Sequence, residues 1–168
     1  MTSRGKKIFL ILTVVVPFII YSVVYYQEKF RYANFKAKDF ISLEYKWGTE
    51  KNLENSYNSA TGVYKYHDDK DSVIVKKVLL TKKDFKYLDS VADVQGFWNL
   101  NTVLANTKQD LDNRKILRYE MKFVYKNDTK EVIYLTNFAG NDRKKSAAAH
   151  MQKEIEQTIA AAEEKQTN

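Results

Sequence analysis

The chain has 168 residues, with 28 Lys and Arg against 21 Asp and Glu, a formal net charge of +7, and 14% aromatic side chains that include 12 tyrosines. It contains no cysteine, which excludes a disulfide framework, thiol chemistry and lipidation at a cleaved N-terminal cysteine. The positive surplus is spread out, without a recognition-helix pattern, zinc-ligand spacing or aromatic RNA-binding signature, so no nucleic-acid partner is expected.

Ile8 to Tyr26 carry no charge and follow directly on Arg4, Lys6 and Lys7. At the helical rise of ~1.5 Å per residue this block would span roughly 28 Å, close to the ~30 Å hydrocarbon core of a bilayer. The apolar run is longer than the ~7–15 residues of a signal peptide and ends without a small-residue cleavage pair, so the reading is a retained anchor. Ile8 opens the span, Pro17 lies in its middle, and Tyr21, Tyr25 and Tyr26 suit a headgroup belt. The division expected is a basic tail over 1–7, a transmembrane anchor over 8–27, a juxtamembrane connector over 28–39 and an α+β extracytoplasmic domain over 40–168. The lipid bilayer is then a partner through the N-terminal helix. The Lys-, Asn-, Tyr- and Ile-rich composition suits a bacterial inner membrane, with the domain in the periplasm.

Beyond the anchor, Phe40 to Trp47 alternates apolar and polar residues with a period of two and reads as a strand ended by Gly48. Thr49 to Asn58 reads as a polar loop. Ala60 to His67 and Ser72 to Leu80 read as strands joined by a turn at Asp68 to Asp71. Thr81 is placed to cap a helix by accepting the Asp84 N–H, Phe85, Leu88 and Ala92 share one helix face, and Gly96 suits a left-handed C-cap. Phe97 to Leu100 would then plug one end of the core. Thr102 to Arg114 reads as a loop with room for a helical turn. Leu117 to Tyr125 is the strongest strand signal, and Glu131 to Phe138 pairs back after a turn at Asn127 to Lys130. The last segment, Asp142 to Lys165, is a helix with the stripe Ala148, Met151, Ile155, Ile159 and Ala162 on one side. Its basic start, Arg143 to Lys145, opposes the helix dipole, which places Ser146 as the expected N-cap. The whole predicts an N-terminal transmembrane helix followed by an antiparallel sheet of about five strands with two helices on one face.

The helix start Leu80-Thr-Lys-Lys-Asp-Phe85, followed by Gly96-Phe-Trp-Asn-Leu100, resembles a pattern in small membrane-anchored bacterial envelope domains of unknown function. The resemblance implies a strand-to-helix core and an envelope location. It carries no activity and no functional residues.

Chemistry-bearing motifs are sparse. Asp68, Asp69 and Asp71 lack the glycine and distal Glu of a calcium loop and read as a solvated turn. His67 and His150 have no metal-type spacing to other ligands. Five scattered glycines form no phosphate loop, so no catalytic residue, metal or cofactor is expected. The tyrosines stand out, and Tyr45, Tyr64, Tyr66, Tyr119 and Tyr125 form the candidate interaction face of a sheet whose other face the helices cover. The functional expectation is a non-catalytic envelope protein that contacts an envelope protein partner as an accessory or assembly subunit. A small-ligand or lipid-binding module is the second reading, marked by a cavity of ~300 Å³ or more with aromatic lining. A hydrolase is the third, and would need convergent carboxylates or a His–carboxylate pair in a cleft.

Overall fold

A computed structural model of the chain describes residues 12–25, 35, 37–49, 52–68 and 70–167. The chain divides into two units, Met1–Asn34 and Phe35–Asn168.

In the first unit, residues 12–25 form a helix, α1, that runs through Pro17 without a break. Tyr21 and Tyr25, one turn apart, stack with ring centres 6.1 Å apart. This corrects the expected anchor. The fourteen described residues of this helix reach ~21 Å at ~1.5 Å each, short of a ~30 Å hydrocarbon core. No helix among the described residues is long and apolar enough to cross a membrane. Ile8 and Tyr26, the ends of the uncharged block, lie outside the described residues. The bilayer partnership through this helix, and the single-pass inner-membrane location with a periplasmic domain, lose their support with the span.

The second unit is α+β. A short 3-10 turn, Ala37–Asp39, leads into β1 (Phe40–Gly48), followed by β2 (Asn55–Asn58), β3 (Val63–His67) and β4 (Val73–Lys77). Helix α2 (Lys82–Gln95) and a 3-10 turn at Phe97–Asn99 precede β5 (Val103–Leu104) and a further turn at Gln109–Asp112. The chain then forms β6 (Arg118–Tyr125), β7 (Thr129–Leu135) and helix α3 (Asp142–Thr167). Among the described residues one sheet runs in the order β4-β3-β2-β1-β6-β7-β5. It has seven strands where five were expected, and it is mixed, because β5 pairs with β7 in parallel while the other neighbours are antiparallel. The two strands absent from the sequence reading explain the difference. Asn55-Ser-Tyr-Asn58 has one apolar residue and is a strand only because β1 and β3 flank it. Val103-Leu104 is too short to show a period.

The helix boundaries have local causes. Thr81 and Asp84 form a reciprocal capping box at the start of α2, and Gly96 at φ 68° and ψ 28° closes it. For α3 the N-cap is Asn141, not Ser146: its Oδ1 accepts the Lys144 N–H at 3.1 Å, so the helix begins at Asp142. Arg143 to Lys145 thus lie inside the first turn, where Asp142 offsets part of their opposition to the dipole and Lys144 Nζ donates to Asn101 Oδ1 at 2.9 Å.

The helices cover the sheet face that carries Leu43, Tyr45, Tyr57, Tyr119, Met121, Phe123 and Tyr125, all buried. From α3 the stripe Ala148, Met151, Ile155, Ile159 and Ala162 packs down, and from α2 Leu88 and Ala92. Phe97 and Trp98 plug one end edge-to-face against Phe123, with ring centres 5.4 and 5.6 Å away, and Phe35 stacks on Trp98 at 4.5 Å. The alternate residues of β1 and β6, Glu44, Lys46, Glu120 and Lys122, face the other way and remain accessible. The tyrosines proposed as an interaction face therefore sit on the covered side of the sheet. Phenols suit that place because the helices bring carboxylates to their hydroxyls: Tyr45 Oη donates to Glu156 at 2.7 Å and Tyr125 Oη to Asp89 at 2.6 Å.

Candidate ligand-binding cleft

Beyond the edge of α3, the covered sheet face opens into a cleft of about 560 Å³. Strand register builds its floor. Trp47 on β1 pairs with Asn55 on β2 and with Tyr119 on β6, and Tyr119 pairs with Tyr134 on β7. Paired residues point to the same side, so this row of side chains runs across neighbouring strands. Tyr119 stacks against Tyr134 with centres 6.2 Å apart and against Tyr45 at 6.3 Å, and Trp47 stacks on Tyr45 at 5.0 Å.

Hydrogen bonds hold the rim. The Asn55 side chain bridges two strands: Nδ2 donates to the Trp47 carbonyl at 3.2 Å, and Oδ1 accepts the His67 N–H at 2.9 Å. The Glu54 carboxylate accepts from the Thr49 N–H at 3.0 Å and from the Thr49 hydroxyl at 3.2 Å. Gly48 permits this closure. A Cβ there would collide with the Glu54 carboxylate and lie 2.9 Å from the Glu54 backbone nitrogen. On the β3–β4 side, the Asp68 N–H donates to the Ser72 carbonyl and the Asp71 N–H to the Asp68 carbonyl, both at 3.0 Å. This places Asp71 at φ 61° on the lip of the cleft. The sequence reading of this segment as a hairpin turn stands.

The fourth wall is Glu156 of α3. Its partner Tyr45 is fully buried, and burial first, then the Glu156 carboxylate, push the Tyr45 phenol far above its ordinary range. Tyr45 is thus a neutral donor at physiological pH. Tyr119 is pushed up to about 12, again by burial and then by Glu156. Among the described residues, the lining includes the acids Glu54, Asp71 and Glu156 but no Lys or Arg, although the chain as a whole is basic. Arg118, opposite Gly48 in register, approaches Glu120 at 3.5 Å and donates to the Leu111 carbonyl at 3.0 Å.

The sequence-predicted residues separate in the structure. Tyr45 and Tyr119 meet at the cleft, one beneath it and one in its wall. Tyr125 lies at the far end of β6, bonded to Asp89. Tyr64 and Tyr66 are half-buried on β3, with ring centres 4.9 Å apart. Pro17, Tyr21 and Tyr25 belong to α1 in the other unit. His67 lines the cleft, whereas His150 sits on α3 with Nε2 3.5 Å from Glu154. Among the described residues no three His, Asp or Glu side chains converge as a metal-binding group. Glu54, Glu156 and Trp47 were not singled out as site residues by sequence. Glu156 meets Tyr45 across 111 positions, a contact without a local signal.

Comparison with protein-family models, with curated proteins and with solved structures yields no match to this chain.

Proposed function

We propose that the α+β unit is a non-catalytic module that binds a small polar molecule in the cleft between β1, β6 and α3. The observation that carries this reading is the cleft itself. Its volume of about 560 Å³ lies within the ~300–1,000 Å³ typical of small-molecule sites. Aromatic walls from Trp47 and Tyr119 combine there with a few fixed polar groups. The carboxylates are held by local donors, Glu54 by Thr49 and Glu156 by Tyr45, which favours recognition over proton transfer. Contact with a protein partner through the tyrosine face is the weaker reading, since Tyr45, Tyr119 and Tyr125 are buried.

The test is saturation-transfer NMR of the full chain against a library of polar fragments. Binding is expected for a subset of fragments and is expected to be lost in Trp47→Leu, with far-ultraviolet circular dichroism confirming that the variant is folded. A library without hits, or hits indifferent to Trp47→Leu, would overturn the reading.

A further inference from the structure

Strand β4 stands at one end of the sheet, and among the described residues only β3 pairs with it. Its bonds to β3 fix which groups point away. The Asp68 N–H donates to the Ser72 carbonyl at 3.0 Å, and the Val78 N–H donates to the Gly62 carbonyl at 2.8 Å. In an antiparallel pair bonded and unbonded positions alternate, so Ile74 and Lys76 turn their N–H and C=O toward Tyr66 and Tyr64. Val73, Val75 and Lys77 turn theirs outward, and the side chains of both valines are exposed. The next outward residue, Leu79, shows what this edge accepts. Its N–H donates to Gln166 Oε1 at 3.0 Å, and its carbonyl accepts from Gln166 Nε2 at 2.8 Å. One side-chain amide of α3 thus answers Leu79 as a paired strand would, and it bounds the open edge at that end. The turn over Asp68–Ser72 bounds the other.

A copy of this edge fits it. We propose that β4 pairs antiparallel with β4 of a second copy, with Val75 opposite Val75 across a two-fold axis. Val73 then meets Lys77 of the second copy, and the outward N–H and C=O of all three residues find partners in both chains. A shift of one bonded pair in either direction leaves one of the three unmatched. The ends of the strand also complement each other in charge. It follows Asp68 and Asp71 and finishes on Lys76 and Lys77, so antiparallel pairing sets the acidic end of one copy against the basic end of the other. A parallel pair would align like charges. Lysine at a sheet edge ordinarily opposes such pairing. Here Lys76 is taken by Glu163, and Lys77 would lie diagonally across from Asp71 of the second copy. The exposed valines of the two chains would meet as one apolar strip across the joint. Because the edge meets itself, the contact closes at two copies.

Sedimentation velocity of the full chain from about 10 to 500 µM reads the mass, and amide hydrogen exchange by NMR reads the edge. A species of twice the chain's 19.7 kDa is expected to grow with concentration. The Val73, Val75 and Lys77 amides are expected to slow at least about tenfold across that range, whereas Ile74 and Lys76 are slow from its start. Val75→Glu sets two carboxylates against each other on the axis and is expected to stay monomeric throughout, with an unchanged far-ultraviolet circular dichroism spectrum. Lys77→Glu, which opposes Asp71 of the second copy, is expected to weaken association about tenfold. A chain that is monomeric over the whole range, or a dimer that Val75→Glu leaves intact, overturns the proposal. So does slow exchange of the three outward amides in a monomer, which would assign the edge to another segment of the same chain.

Discussion

Replacing Tyr45 by Phe removes one oxygen from the centre of the covered sheet face. The ring would keep its place between Trp47, 5.0 Å away, and Tyr119, 6.3 Å away, so no cavity forms. What is lost is the 2.7 Å bond from a fully buried hydroxyl to the Glu156 carboxylate. Hydrogen bonds to a charged partner contribute roughly 1.5–3 kcal/mol, and Glu156, half-buried at the cleft, recovers part of that from water. The expected loss is about 2 kcal/mol in urea denaturation, or a Tm lowered by roughly 7 °C. Tyr87→Phe is the control. Its hydroxyl meets Glu154 at 2.6 Å, but Tyr87 is 51% exposed, and the expected loss is below about 0.5 kcal/mol. A double-mutant cycle of Tyr45→Phe with Glu156→Gln should show a coupling of about 1 kcal/mol. The reasoning is refuted if Tyr45→Phe costs no more than Tyr87→Phe, or if the two changes in the cycle simply add.

Three further outcomes follow from groups placed above. Burial raises the Asp89 carboxyl above its ordinary value despite the Tyr125 hydrogen bond, so the folded protein holds that proton to a higher pH than the unfolded chain. Stability from this group therefore falls as pH rises above about 3.8 through the folded value, and urea midpoints of Asp89→Asn should lack that fall. Tyr57, Tyr64 and Tyr119 are pushed by burial to about 12, so stability should fall between pH 10 and 12, with phenolate absorbance appearing together with unfolding. Gly48→Ala should cost at least about 1 kcal/mol by displacing the Glu54 carboxylate, and should weaken any fragment binding at the cleft. An unchanged midpoint would mean that the Glu54 closure is not what requires glycine.

Periodicity reads which residues share a face, and the strands with strong alternation were legible for that reason. Tyr119, Met121, Phe123 and Tyr125 alternate with Arg118, Glu120 and Lys122, and the structure keeps this division. Which side the helices cover was also encoded, because Met121 and Phe123 share the side of Tyr119 and Tyr125. The tyrosines alone suggested an open face, since their buried hydroxyls depend on Asp89 and Glu156, which are remote in sequence. The stripe of α3 was legible because five apolar residues recur at helical spacing, whereas its start was not, because a capping Asn141 competes with Ser146 without tertiary context. Strand β2 carries almost no period of its own and exists through its neighbours. At the N-terminus, hydropathy counts every uncharged residue from Ile8 to Tyr26, while the described helix holds residues 12–25 and falls short of a bilayer's apolar width. The cleft lies where three separate segments meet around Glu156, and no short motif marks such a convergence.

The most direct test of the cleft as a ligand site reads the two tryptophan indoles in one ¹H–¹⁵N spectrum while hits from the fragment screen are added. Trp47 lies in the cleft, and Trp98, bonded through Nε1 to Asp93 at 2.7 Å, packs against Tyr125 at the other end of β6. Six residues of strand separate Tyr119 from Tyr125, roughly 20 Å. Saturable movement of the Trp47 signal with a stationary Trp98 signal is the predicted result. Hits that move Trp98 alone, or that move neither indole, would contradict it.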